Sequence, residues 1–447
     1  MNRILILLSI SICFSNSIKQ NYSDISLRII SEALSDSTAY ERLAYLCDSF
    51  GPRLSGSKNL ENSINWIIDE MKKDGFDRVE GQRVRVPTWI RGDESVHILK
   101  PFKKELSMLG LGGSVSTPKS GITADVLVVN NYDDLESNSD KVKGKIVLYN
   151  VPFTNYSETV QYRYSGASRA AKYGAVASLV RSIGDWSMDT PHTGVMGYDA
   201  NYDKIPTAAL TMEDAMMLGR IHEREQKITL KLQMEAKTVG DRWSRNIISE
   251  IKGHEYPDEI VVVGAHIDSW DVGQGAHDDG GGCVASWEVL RLIKTLGLKP
   301  KRTIRCVLWT NEENGLRGSN SYRDMHLDEL DKHVIAIESD AGVFAPSGFG
   351  FSGNKDAREV IEDIHELLKP IKANQITDWG RAPDVAILND EGIPVMSLNV
   401  DLSKYFWYHH SAADTFDKVD FHDFNKCVAA MTIMAFVIAD LDRPLPR

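Results

Sequence analysis

The sequence predicts an α/β protein: a mixed, largely parallel sheet sandwiched by helices, interrupted by an inserted second domain. Three observations carry this reading. Short β-branched runs at 260–263 (Ile-Val-Val-Val), 303–309, 334–337 and 395–398 alternate with stretches of helical period. Polar, metal-capable residues follow most of those runs directly, and ligands gather beyond the carboxyl ends of strands in such sheets. Between about Gly121 and Lys237 the texture changes to further short strands and a small-residue helix near 166–173, with few candidate ligands.

The chain has 447 residues, too many for one ordinary core. Residues 45–120 and 239–447 read as two parts of one domain, and 121–238 as the insertion. A net charge of -12 leaves no basic face, so nucleic acid is excluded as a partner class. Residues 1–17 combine a positive start, a short apolar run and small residues at a cleavage point, the pattern of a signal peptide. The apolar run is too short to span a bilayer, so no stable membrane anchor is expected and the protein is assigned to the secretory pathway. Residues 18–44 read either as a pro-segment or as the first helix of the domain. Cys47, Cys283, Cys306 and Cys427 form neither a C-x-x-C pair nor a dense framework. Asn21 and Asn155 open Asn-x-Ser sequons and are candidate glycosylation sites.

Residues 25–50 and 60–73 carry amphipathic helical period, the second turning Ile64, Ile67, Ile68 and Met71 to one side. Gly51-Pro52-Arg53-Leu54-Ser55-Gly56-Ser57 between them reads as a turn. The last helix, about 421–441, is apolar on most sides and is expected to pack across the sheet.

The chemistry gathers after the strands. The run at 260–263 leads into Gly264-Ala265-His266-Ile267-Asp268 and then, through a glycine-rich loop, into His277-Asp278-Asp279 before a helix. Imidazole and carboxylate are zinc ligands, and glycine lets a backbone close around an ion. Glu312-Glu313 follow 303–309, Glu338-Ser339-Asp340 follow 334–337, and His409-His410-Ser411 come late. Each alone is weak, since Glu-Glu is usually a solvated pair and His-His usually structural. Four loops converging on one sheet edge fit a metallohydrolase.

The order and spacing of these residues, with Gly51-Pro52-Arg53-Leu54-Ser55-Gly56-Ser57 and His409-His410-Ser411, resemble those of the co-catalytic zinc aminopeptidase and carboxypeptidase family, from about Gly51 to the C-terminus. The resemblance implies two Zn2+ ions per chain, Asp278 bridging them, His266 and Asp340 on one and Glu313 and His410 on the other. It implies Glu312 as general base, and a cis peptide between Asp278 and Asp279. Two such ions share a carboxylate, acidify water and clamp the reacting oxygens. Asp268 is expected to accept from the free nitrogen of His266 and orient it. Many relatives place tyrosine where this chain has His409, which either supplies the same hydrogen bond to the scissile carbonyl or is structural. Arg381, in Gly380-Arg381-Ala382-Pro383-Asp384, either meets a substrate carboxylate or is an exposed loop arginine. His277, beside the bridging aspartate, reads as a bystander. The insertion resembles a protease-associated domain.

The resemblance further implies a secreted exopeptidase, lysosomal or ER/Golgi residence being the variants, acting as a homodimer on small peptides, dipeptides with free termini above all. Aminopeptidase activity is the nearest rival. Other hydrolase patterns fail: His365-Glu366-Leu367-Leu368-Lys369 lacks the second histidine of His-Glu-x-x-His, and Gly-x-Ser-x-Gly is missing. A secreted binding protein on the same scaffold would have no use for a general base beside a metal.

Overall fold

The computed structural model describes residues 2–447, with side chains from Ile18 onward. The signal-like segment, 1–17, lies outside the residues whose side chains are described. The chain forms two compact units, one of 1–86, 243–405 and 415–447, the other of 87–242 and 406–414.

The first unit carries a sheet ordered Arg78–Ile90, Lys237–Ile251, Arg302–Trp309, Tyr256–His266, His333–Glu338, Val395–Val400, Pro346–Ser352 and Gln375–Thr377. Its four central strands, Arg302–Trp309, Tyr256–His266, His333–Glu338 and Val395–Val400, are parallel. The flanking pairs, Lys237–Ile251 on Arg302–Trp309 and Pro346–Ser352 on Val395–Val400, are antiparallel. The β-branched runs fall on these central strands because both faces are buried, and such strands need continuous apolar sequence rather than alternation. Register sets His266 beside Trp309 and Gly264 beside Glu338, so neighbouring strands end at one level.

Helices cover the sheet. Lys58–Asp74 starts on Ser57, whose Oγ accepts from Leu60 N, and stops at left-handed Gly75; Ile64, Ile67, Ile68 and Met71 are buried as their spacing predicts. The helical period of 25–50 is split into Asn2–Ser35 and Thr38–Phe50, because Asp36 Oδ1 accepts from Thr38 N (2.8 Å) and starts a new helix. From Ile18 the first of these helices belongs to the core, with Ile29 and Ala33 buried and Tyr22 Oη donating to Asp440 O (2.9 Å). Phe421–Asp440 is the one helix among the described residues long and apolar enough to cross a membrane; it is mostly buried against Gly281–Thr295 and the sheet. Cys47, Cys283, Cys306 and Cys427 are buried.

The second unit has its own sheet: Lys104–Leu106, Glu94–Lys100, Thr229–Met234, Ile122–Val129, Ile146–Tyr149, Ala177–Arg181, Thr207–Leu210 and Met108–Gly110. Its limits are wider than 121–238 because Glu94–Lys100 pairs with Thr229–Met234, and Met108–Gly110 with Thr207–Leu210. It also takes in 406–414, which the sequence placed in the main domain. The helix predicted near 166–173 runs over Tyr156–Ala171.

His333 is buried in the first unit, with Nδ1 donating to Glu329 O and Nε2 accepting from Tyr322 Oη, each 2.8 Å. Burial holds its pKa down at about 4, below the ordinary value near 6.5. The unfolded chain therefore binds this proton first, so the stability linked to neutral His333 is fully present above pH ~6.5 and is lost as pH falls toward 4. Denaturant midpoints of His333→Gln should fall less between pH 7 and 4.5 than those of the parent; equal slopes would remove His333 from the acid response.

Candidate metal centre

Three adjacent parallel strands deliver the site. Tyr256–His266 ends in His266 itself, Arg302–Trp309 runs on to Glu312 and Glu313, and His333–Glu338 runs on to Asp340. His266 Nδ1 donates to the main-chain carbonyl of Asp268 (2.9 Å), which leaves Nε2 as the ligating nitrogen. Nε2 lies 3.2 Å from Asp278 Oδ1 and 3.2 Å from Asp340 Oδ1. Asp268 thus orients His266 through its carbonyl; its carboxylate, 3.9 Å away, accepts instead from Ser55 Oγ (3.1 Å) and Glu312 N (3.1 Å). The expected carboxylate–imidazole bond is corrected in that respect. The short loop return makes the carbonyl the nearer acceptor.

The Asp278–Asp279 peptide is cis. Asp279, which the sequence reading passed over, is fully buried: its Oδ2 accepts from His266 N (3.2 Å) and its Oδ1 from Gly282 N (3.0 Å), tying the strand end to the start of Gly281–Thr295. His266, Asp279 and Asp340 each offer a ligand atom, all within 4.8 Å of one another. Glu313 is buried and accepts from Trp270 N (3.1 Å), whereas Glu312 is half-buried.

The electrostatics fit a cation. Burial raises the carboxyl pKa values of Asp268, Asp279, Glu312, Glu313 and Asp340, and neighbouring carboxylates reinforce the rise, Asp340 for Asp279 and Glu312, Asp278 for Glu313. Glu338 and Asp384, buried behind them, are raised as well, Asp384 to about 7. Burial opposes a charge on His266, yet Asp340 and Asp278 carry its pKa well above the ordinary value. A set of buried carboxylates around one imidazole is the donor chemistry of a divalent ion, which removes the repulsion at its source.

Arg53 holds the loop in place. Fully buried, it donates through Nε to Ile267 O (3.0 Å), through Nη1 to Gln274 O (2.6 Å) and Gly51 O (3.1 Å), and through Nη2 to Gly275 O (2.9 Å). Gly275 is left-handed at φ 58°, and a Cβ there would stand 2.4 Å from Ser269 Cβ and 2.9 Å from Arg53 Nη2. Asn311, also left-handed (φ 70°), turns the chain out of its strand, donating to Ser55 Oγ (3.1 Å) and accepting from Arg317 N (3.3 Å). The sequence read Arg53 and Ser55 only as part of a turn; the arginine amid glycine and proline was the available signal.

Other predicted residues fall as follows. His277 stacks on Phe344 at 3.9 Å, its Nδ1 accepts from Val343 N (3.2 Å), and burial lowers its pKa to about 4, as suits a bystander. Arg381 donates to Asn389 Oδ1 and to Asp390 Oδ1 (2.7 Å), so its guanidinium is engaged at the last residues of the helix Pro383–Asp390 that follows it. Asn155 is exposed and caps Tyr156–Ala171, its Oδ1 accepting from Glu158 N (2.9 Å); Asn21 is exposed on the first helix. His409 and His410 lie in the second unit, rings stacked at 3.5 Å, with burial and then His409 lowering the pKa of His410 well below the ordinary value.

Strands that end level and drop imidazole and carboxylates at one edge define the first unit as a mixed α/β protein with a candidate metal centre at the carboxyl end of its sheet. The family follows from comparison: the chain belongs to peptidase family M28, whose model matches residues 246–435, and it is a peptide hydrolase. It is 45% identical to carboxypeptidase Q of Mus musculus over 96% of this chain and 92% of that protein, and 46% identical to carboxypeptidase Q of Homo sapiens over 95% and 90%. Among solved structures, an M28 peptidase precursor from Shewanella amazonensis superposes with a TM-score of 0.92 at 34% identity, covering 96% of this chain and all of that one. A zinc aminopeptidase of Bacillus subtilis shares the fold, with a TM-score of 0.69 at 22% identity over 91% of this chain and 98% of that one. The mixed α/β class read from the sequence is thereby shown.

Two outcomes test the centre. Lysine at position 53 keeps the charge but loses the planar fork, leaving buried carbonyls unmatched at about 1–3 kcal/mol. Arg53→Lys should therefore melt several degrees lower and bind metal more weakly, and a variant equal to the parent in both would deny the clamp. Stripping divalent ions with a chelator should lower the melting temperature, and returning the metal should restore it; indifference to the chelator would contradict the charge argument.

Proposed function

We propose that this protein is a secreted di-zinc exopeptidase that hydrolyses small peptides, dipeptides with free termini above all. The observation that carries the reading is Glu312: a half-buried carboxyl, its own N–H fixed on Asp268 Oδ1, beside buried Glu313 and within the acidic cluster around His266. His266, Asp278, Glu313, Asp340 and His410 are proposed to hold the two ions, with His410 assigned by the family resemblance. Bound zinc supplies Lewis acidity, lowering the pKa of water and polarising a carbonyl. Glu312 takes the proton from the attacking water at a carboxylate oxygen and returns it to the leaving amine nitrogen. Asp268 serves that step twice, by its carbonyl on His266 Nδ1 and its carboxylate on Glu312 N.

Similarity to carboxypeptidase Q at 45–46% identity favours a carboxypeptidase or dipeptidase over an aminopeptidase; the "probable leucine aminopeptidase 2" of Aspergillus oryzae is 29% identical over 71% of this chain. The signal-like residues 1–17 support the secretory route, with lysosome or ER/Golgi as its branches, and exposed Asn155 and Asn21 are its proposed glycosylation sites. A homodimer is proposed from the resemblance.

Glu312→Gln should retain both ions while kcat falls at least about 100-fold, the span a general base supplies. Metal content and turnover measured together check it, and substantial residual turnover removes Glu312 from the role. Free dipeptides should be cleaved while N-blocked and C-amidated ones are not. Cleavage of C-amidated dipeptides alone would turn the reading to aminopeptidase.

A further inference from the structure

The second unit contains a buried cation that the proposed chemistry does not use. Arg163, on Tyr156–Ala171, is 4% exposed. Its Nη2 donates to Tyr156 Oη (2.8 Å) and its Nη1 to Thr193 O (3.2 Å). These are neutral acceptors, so the guanidinium is spent on fixing groups rather than cancelling a charge. Its flat face lies on Gly194, at φ 142°, where a Cβ would stand 2.3 Å from Arg163 Cζ.

The segment Arg163 holds in turn holds the histidines. Thr193 N donates to His410 O (2.9 Å), and His192 Nδ1 donates to His409 O (2.6 Å). His192 also bridges Ser411 in antiparallel fashion. His410 itself is left-handed at φ 58°, a conformation that a bulky non-glycine residue keeps only when its surroundings impose it. Through its main chain, the conformation of His410 is held by residues 163 and 192–193, more than 200 positions earlier in the chain.

We infer that Arg163 is a positioning residue for the metal ligand His410, acting through Thr193 on the His410 main chain. The inference rests on the reading of His410 as a ligand. Residues that orient a metal-binding histidine are worth about 10–100-fold in affinity or activity.

The test uses the full chain loaded with Co2+ or Zn2+. Arg163→Met should weaken the more weakly held ion about 10–100-fold, shift the visible d–d bands of the cobalt-loaded protein, and lower kcat more than it raises KM. Gly194→Ala, whose Cβ displaces the guanidinium, should do the same, and Arg163→Lys should fall between. Far-UV circular dichroism identifies the folded variants. Parent-like affinity and spectrum in Arg163→Met overturn the inference, as they do in the other two variants if Arg163→Met fails to fold. His410→Ala separates the two readings. Unchanged metal affinity in that variant refutes His410 as a ligand, whereas lost affinity there with a parent-like Arg163→Met refutes the positioning role alone.

Discussion

Carboxylates that repel one another are packed, nearly dry, around a single imidazole. Asp278 and Asp340 both stand 3.2 Å from His266 Nε2, Asp279 lies within the same few ångströms, and Glu313 and Asp268 are buried close by. Isolated burial of even one such charge is unfavourable by several kcal/mol or more. The cluster therefore persists as a set of charges only with a cation among them, and the rest of the first unit can be understood as what holds the donors still against that repulsion.

Two kinds of support do this. The parallel strands fix the main chain, since three of them end level and cannot slide without breaking their ladders. The loop after His266 has no ladder, and there the polymer is held by single groups: Arg53 on three loop carbonyls, Asp279 on the N–H groups of His266 and Gly282, Ser55 on Asp268. Gly282 belongs to this packing too, because a Cβ there would lie 2.1 Å from Ser339 O and 2.3 Å from Asp279 Oδ1. An arginine that spends its fork on carbonyls gives rigidity without adding a carboxylate to a region that already holds too many.

What was legible in the sequence follows the same division. The strands could be read because burial on both faces demands unbroken β-branched runs, and the donors could be read because they follow those runs within a few residues. His266, Glu312, Glu313 and Asp340 are of this kind, whereas Asp278 lies across the glycine-rich loop that follows His266. Arg53, Ser55, Asp279 and Arg163 were not legible as site residues, because each acts on a part of the chain that only the fold brings near: Arg53 reaches over 200 positions to Ile267. The second unit's limits differ from 121–238 for a related reason. Its edge strands, Glu94–Lys100 and Met108–Gly110, are short and part-polar, and their partners lie about 100 residues or more downstream.

The division of duties proposed for the adjacent glutamates 312 and 313 has a basis in the backbone. Leaving Arg302–Trp309, the chain turns at left-handed Asn311, whose side chain is held by Ser55 and whose carbonyl accepts from Leu316 N (2.6 Å). The turn ends the alternation of the strand, so Glu312 and Glu313 no longer point simply to opposite faces. Glu312 is fixed by its main chain, through its N–H on Asp268 Oδ1, and is less buried than its neighbour Glu313. Glu313 is fixed by its side chain, Oε1 accepting from Trp270 N in a buried setting. One residue thus has a still backbone and a carboxyl able to exchange a proton, the other a pinned carboxyl suited to holding an ion. In the proposed assignment, the difference between base and ligand is which end of the glutamate the fold has taken hold of.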